Sequence, residues 1–147
     1  MATNPNVPKI FRTYRPSNVP EFYLQAIPNP ENVYSILPFS YVFPQVIASP
    51  STLTVQTFSE SDFLCNSLQV DGAPGALQVV LRELTLNWPL MSAPTPISSI
   101  FGSASLPYYL PVPWFISNKT TIEAAITGVF GVAVTLTLSG MRVFRRS

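Results

Sequence analysis

The sequence predicts an all-β protein: an antiparallel β-sandwich of the jelly-roll kind, preceded by an extended, proline-rich N-terminal arm. Short runs of β-branched and aromatic residues recur at a spacing of roughly 8–12 residues, with proline and glycine turns between them. No window shows the periodicity of an amphipathic helix. The 147 residues include 16 prolines but only 6 glycines. Proline-rich crossings between strands favour a jelly-roll over a simple meander.

The N-terminal arm is predicted from proline spacing. Prolines stand at positions 5, 8, 16, 20, 28 and 30, too close together for a helix or a central strand. We therefore expect an extended arm over residues 1–30 and a single sandwich domain over residues 31–147. The first residues show neither an apolar core segment nor a small-residue cleavage site, so we expect no secretory signal and folding in the cytoplasm.

Seven strands are predicted, over residues 34–43, 52–59, 62–71, 76–88, 106–118, 120–127 and 129–144. Segment 106–118, LPYYLPVPWFISN, has three prolines and four aromatic residues, which predicts an extended edge. Segment 76–88 is apolar on both faces, which indicates a central covered strand or a subunit contact. Residues 122–141 are apolar enough to suggest a membrane span, but their period-two alternation predicts two strands around Thr127 and Gly128.

Composition favours an assembly subunit over a free monomer. Hydrophobic residues make up 47% of the chain and charged residues only 10%, against about 25% charged in an average domain. The net charge of +1 gives no general reason to expect nucleic acid or a membrane as partner. Cys65 is the single cysteine, which excludes an internal disulfide and predicts a small buried side chain within a strand.

The sequence offers little for catalysis. It has no histidine, which removes the commonest general base and metal ligand. Glu60 and Asp62 could form a carboxylate pair or a weak calcium site. However, a Ser-Glu-Ser-Asp stretch before an apolar strand is more typical of a solvated turn. We expect no catalytic residues, no metal and no cofactor, and hence a protein that is not an enzyme.

Two groups of residues are candidates for partner binding. The basic and aromatic residues near the chain ends could contact an acidic surface, although terminal arginines also simply solubilise a chain; they are Lys9, Arg12, Tyr14, Arg15, Arg145 and Arg146. The aromatic residues of segment 106–118 suit a protein interface, or a carbohydrate or peptide groove; they are Tyr108, Tyr109 and Trp114.

The order DFLCNSLQV, LPYYLPVPWFISNKTTIEAAITG and VAVTLTLSGMRVF resembles small virion proteins of tailed bacteriophages. In these, an acid-Phe strand precedes an apolar-proline ledge and a last strand that closes with Leu-x-Gly and a basic residue, here Leu138, Gly140 and Arg142. The similarity covers the second half to two thirds of the chain.

The resemblance implies a jelly-roll cement or decoration protein on the capsid exterior, which bridges neighbouring copies of the major capsid protein. We also expect a homo-oligomer, a dimer or trimer. Two alternatives remain open: a structural component of the phage tail or neck, and a jelly-roll module that binds glycans.

Overall fold

The computed structural model describes residues 26–28, 32–103 and 105–145, so nearly all of the predicted N-terminal arm lies outside the described residues. Within these residues the chain forms nine strands and one short helix, which confirms the all-β prediction. The elements are β1 Val33–Val42, β2 Ser51–Gln56, β3 Asp62–Asp71, β4 Gln78–Glu83, β5 Trp88–Pro89, β6 Thr95–Pro96, α1 Ile97–Ile100, β7 Tyr108–Ile116, β8 Thr121–Thr127 and β9 Thr135–Arg145.

The strands form two antiparallel sheets packed as a sandwich. Sheet 1 has the order β1-β9-β3-β7, and sheet 2 has the order β2-β8-β4-β5 with the two-residue β6 also paired to β4. The chain can be followed as one long antiparallel ribbon, in which the paired strands are β1·β9, β2·β8, β3·β7 and β4·β5. The ribbon is wrapped so that successive pairs alternate between the two sheets. This connectivity is a jelly-roll, as the proline-rich crossings predicted.

The core fills the space between the sheets. Strand alternation sends Leu136 and Leu138 of β9 inward from sheet 1, opposite Val79 and Leu81 of β4 in sheet 2. All four side chains are fully buried. Strand β4 is paired on both sides. The part of segment 76–88 that forms β4 is therefore a central strand. Cys65 is also buried, as predicted.

A second apolar cluster lies on the outer face of sheet 1. Leu64 points away from the core that Phe63 and Cys65 enter, and it packs with Met141 and Ile27. Ile27 is itself buried. Residues 26–28 are therefore fixed against sheet 1, close to the start of β1.

The aromatic-proline segment is an edge strand, as predicted, because β7 is the last strand of sheet 1. Its register against β3 jumps from Cys65↔Trp114 to Ser67↔Tyr109, so four residues of β7 face the single residue Asn66. Two of those four are prolines. Prolines lack the backbone donor that pairing requires and are tolerated at such edge bulges.

Two predicted strands are much too long, and segments 52–59 and 106–118 also overrun the observed strands Ser51–Gln56 and Tyr108–Ile116. Segment 76–88 breaks after Glu83 into a tight turn, where Asn87 adopts a positive φ of 56°. Segment 129–144 starts its strand only at Thr135. Gly128 has a φ of 106°, and a Cβ there would lie 2.6 Å from the Ala76 carbonyl oxygen, so the chain turns sharply at this position and residues 129–133 form a loop.

Candidate functional site

The two ends of the sandwich differ in chemistry. Strands β1, β3 and β9 pair so that the loops 57–61, 84–87 and 117–120 gather at one end, which we call the charged end. The loops 43–50, 72–77 and 128–134, together with α1 and residues 101–103 and 105–107, gather at the opposite end, which we call the uncharged end. None of the described residues in the loops of the uncharged end carries a charge.

Arg142 organises the charged end. Its Nη2 lies 3.0 Å from the Glu60 carboxylate, and its Nε donates to the Ser61 hydroxyl at 2.9 Å. The guanidinium also lies 4.3 Å from the ring centre of Phe58 and 4.8 Å from that of Phe144. Such cation–π contacts add to the hydrogen bonds, so Arg142 ties loop 57–61 to β9.

Arg145 makes a second clamp beside the first. Its Nε lies 2.6 Å from Oδ2 of Asp62. The other carboxylate oxygen of Asp62, Oδ1, accepts a hydrogen bond from the Asn118 backbone N–H at 2.9 Å. Arg145 also donates to the Pro28 carbonyl. This predicted partner-binding residue is thus engaged within the chain. The other basic and tyrosine candidates at the chain ends lie outside the described residues; they are Lys9, Arg12, Tyr14, Arg15 and Arg146.

An open pocket of about 290 Å³ lies beside these clamps. Its lining is Ser59, Glu60, Ser61, Asp62, Asn118, Val143 and Arg145. Both carboxylates are already bonded to arginines, and Glu60 lies in a turn with its side chain 61% exposed. The part of the chain that the structure describes contains no group of three residues able to hold a metal ion. The arrangement suits a structural clamp.

The three aromatic candidates of β7 do not share one surface. Tyr108 and Tyr109 are consecutive in the strand and face Leu68 and Ser67 of β3, so their side chains point to opposite faces of the sheet. Trp114 pairs with Cys65 and packs against the core. Tyr109 is the most exposed of the three. The segment therefore presents separate rings instead of a continuous aromatic groove.

Burial raises the pKa of three groups, Tyr41, Cys65 and Glu83. Burial raises the pKa of the Cys65 thiol to about 12, so at neutral pH it lacks the thiolate that a nucleophile needs. Burial also raises the pKa of Glu83, the last residue of β4, whose exposed fraction is 6%. Glu83 points into the sandwich because Val79 and Leu81 on the same face are core residues.

The uncharged end exposes large aliphatic side chains. Its most exposed members are Ile47 at 72%, Leu106 at 78%, Val129 at 76% and Val132 at 60%. Residue alternation did not indicate this surface, because Val132 continues the alternation of the strand that follows. The glycines in GVFGVAV and the prolines that bound PQVIASP were the signals that could have placed these residues in loops.

No protein-family model, curated protein or solved structure matches this chain significantly. Among the described residues, no helix is long and apolar enough to cross a membrane.

Proposed function

We propose that this chain is a structural protein of a virus particle, which binds the capsid shell as a cement or decoration protein and bridges neighbouring subunits of the major capsid protein. The jelly-roll supports the proposal by analogy, because viral capsid domains use this fold, as lectins and cupins also do. The resemblance to small virion proteins of tailed bacteriophages supports a position on the exterior of the capsid.

One observation supports a structural role most strongly. The charged side chains that cluster beside the pocket form ion pairs with each other, while large aliphatic side chains are left exposed. Arg142 and Arg145 bind Glu60 and Asp62 beside the pocket, whereas Ile47 and Leu106 remain more than two-thirds exposed at the opposite end. Exposed apolar surface on a folded protein indicates a surface that another protein covers.

The predicted N-terminal arm gives the proposal its bridging element. Residues 26–28 are fixed on sheet 1 by Ile27 and by the bond from Arg145 to Pro28. In this proposal, residues 1–25 bind along a neighbouring shell subunit, with Arg12 and Arg15 facing its carboxylates. Prolines restrict the free arm, so less conformational entropy is lost on binding.

Quantitative mass spectrometry of particles purified from the native host tests the proposal. A cement protein is expected in on the order of hundreds of copies per particle, whereas a neck ring would hold about a dozen. A chain that is absent from the particles would contradict any virion role, and a dozen copies would favour the neck alternative.

A charge reversal tests the contribution of the arm. We expect the double variant Arg12→Glu, Arg15→Glu to fold normally and to lose at least tenfold in affinity for particles stripped of the native protein, since two like-charged contacts replace two attractive ones. Lys119→Glu makes a matched reversal in loop 117–120. Equal binding by the arm variant and the Lys119 variant would show that the arm does not make the contact.

A further inference from the structure

The outer face of sheet 2 carries one positive and one negative side chain next to each other. We call this surface face 2; it consists of the residues of β2, β4 and β8 that alternate with the core positions. Arg82 of β4 lies directly opposite Glu123 of β8 in the antiparallel register. These are the two middle strands of the sheet, so the two charges lie near the centre line of face 2.

The two charges are not used within the chain. Opposite side chains of an antiparallel pair have Cβ atoms about 4.5–5.5 Å apart and can attract each other. However, among the described residues the ion pairs are formed by Arg142 and Arg145, and none joins Arg82 to Glu123. The Nε atom of Arg82 is buried with no hydrogen-bond partner, which native proteins rarely allow. Both side chains are only half-buried as a whole, so an outside group can reach them.

The rest of face 2 is made of short side chains. Val80 pairs with Ala125 beside the two charges, and both residues are half-buried. Thr52 and Thr54 of the edge strand β2 are exposed. Face 2 thus has a small apolar area next to two unpaired opposite charges, with hydroxyl groups at its border. A small apolar centre with a polar border is the arrangement of a protein interface.

We infer that two copies of this chain pack face 2 against face 2, with Arg82 of each copy bound to the partner's Glu123. The inference selects the dimer from the two oligomeric states expected from the sequence. It concerns the chain itself and does not depend on the virion role proposed above.

The order of the charges selects a second copy as the occupant. A two-fold axis that runs along the strands between β8 and β4 places β4 of each copy over β8 of the other. Arg82 then lies over the partner's Glu123, and Val80 lies over the partner's Ala125. Each contact occurs twice, because a two-fold interface uses the same surface on both copies. The two sheets are nearly aligned, which is a common way for sheets to pack.

The size of face 2 predicts how tightly the copies bind. With strands about 4.8 Å apart and a rise of about 3.4 Å per residue, its three strands span roughly 15 Å by 20 Å. This area is smaller than the about 800 Å² per partner of a standard interface. We therefore expect a reversible dimer that forms with increasing concentration and that salt weakens, because the ion pairs lie near the surface.

Sedimentation velocity of the full chain over a concentration series at low salt measures this contact. We expect at least tenfold weaker association for Arg82→Glu and for Glu123→Arg, because each variant places two pairs of like charges across the two-fold axis. Lys119→Glu and Asp71→Arg are the matched controls, since they reverse exposed charges outside face 2. Their association should stay within twofold of the native value.

Mixing the two face variants separates a contact between chains from an ion pair within one chain. Arg82→Glu presents two acids and Glu123→Arg presents two arginines, so one copy of each restores both contacts. We expect the mixture to associate at least tenfold more strongly than either variant alone. An ion pair within one chain cannot be restored by mixing. The double variant Arg82→Glu, Glu123→Arg is again self-complementary and should associate within threefold of the native chain.

A further variant tests the contact without removing either charge. Thr54 lies opposite Glu123 on the edge strand β2. Thr54→Arg places an arginine beside Glu123 of the same chain, where it competes with the partner's Arg82, and we expect at least a threefold loss of association.

Urea midpoints establish that each variant is folded. A native chain that stays monomeric at every concentration would overturn the inference. Charge reversals on face 2 that weaken association no more than the two controls would also overturn it, as would a mixture of the folded variants that associates no better than either variant alone.

Discussion

The charged end and the uncharged end are built from the same strands, yet they use their side chains in opposite ways. At the charged end, long polar side chains turn back onto the protein, and Arg142 is bonded to Glu60 and Ser61 and covered by aromatic rings. At the uncharged end, backbone hydrogen bonds hold the loops, and side chains such as Val129 point into solvent. Side-chain contacts therefore stabilise one end, while the other end leaves large aliphatic side chains exposed to solvent.

This difference predicts that equal substitutions have unequal effects in different regions. Changes that remove a packed or hydrogen-bonded group within the strands or the charged end should lower the free energy of unfolding. Changes to exposed side chains at the uncharged end should leave it almost unchanged, because surface substitutions away from specific contacts usually alter stability by less than about 0.5 kcal/mol.

The largest difference is expected between two glycines. A Cβ on Gly140, in β9, would lie 1.9 Å from the Leu64 carbonyl oxygen, so Gly140→Ala must push β9 away from β3. We expect a loss of at least about 3 kcal/mol. Gly131, in the loop of the uncharged end, has no atom within 4 Å of its Cβ position. Gly131→Ala should stabilise by about 0.5 kcal/mol through the unfolded chain.

Urea unfolding of the two glycine variants and the native protein measures both effects. Similar midpoints for the two variants would contradict the close packing of β9 on β3.

Arg142 provides the next largest effect. Arg142→Met removes the bond to Ser61 and the cation–π contacts, and we expect it to cost about 3 kcal/mol. The ion pair itself adds little, because the Glu60 side chain is largely exposed. Arg142→Lys keeps the charge and loses the planar fork, so an intermediate loss is expected.

Thermal unfolding of the Arg142 variants at low and high salt checks this assignment. A loss for Arg142→Met that disappears in high salt would show that the ion pair dominates over the aromatic contacts.

The smallest effect concerns Glu83 and depends on pH. Burial raises its pKa, so the folded protein keeps this proton at pH values where the unfolded chain has released it. The stability that Glu83 contributes at low pH is therefore lost as pH rises from about 4.5, the ordinary value, through the raised pKa. Glu83→Gln should remove this loss and stabilise the protein at pH 8 by on the order of 1 kcal/mol.

Chemical denaturation of Glu83→Gln and the native protein at pH 5 and pH 8 makes the comparison. The difference between the two proteins should grow with pH. A constant difference would mean that Glu83 titrates normally.

The fold could be predicted from the sequence because it follows from local patterns. The predicted bounds of β3 match the structure, since Asp62 and Asp71 flank an apolar run with polar groups. The two largest strand errors have one physical cause. Alternation marks which residues could form a strand, but the left-handed backbone at Asn87 and Gly128 decides where pairing stops.

The site was harder to predict because it depends on contacts between distant residues. Arg142 and Glu60 are 82 positions apart, and no local pattern indicates that they pair. Arg145 has the same difficulty: its charge suggested an outside partner, whereas Asp62 and Pro28 bind it within the chain. The exposure of Ile47 and Val129 likewise depends on which loops the jelly-roll brings to one end.

The burial of Cys65 makes its thiol a native probe for the rate at which the sandwich core opens. Its thiol is fully buried in β3 and its pKa is raised to about 12, so a maleimide or disulfide reagent can react only when the two sheets separate. The chain has no other cysteine, and the modified fraction therefore counts openings of the sandwich core. The labelling rate gives the frequency of these rare events in the unmodified protein, in solution and within an assembly, without any added probe.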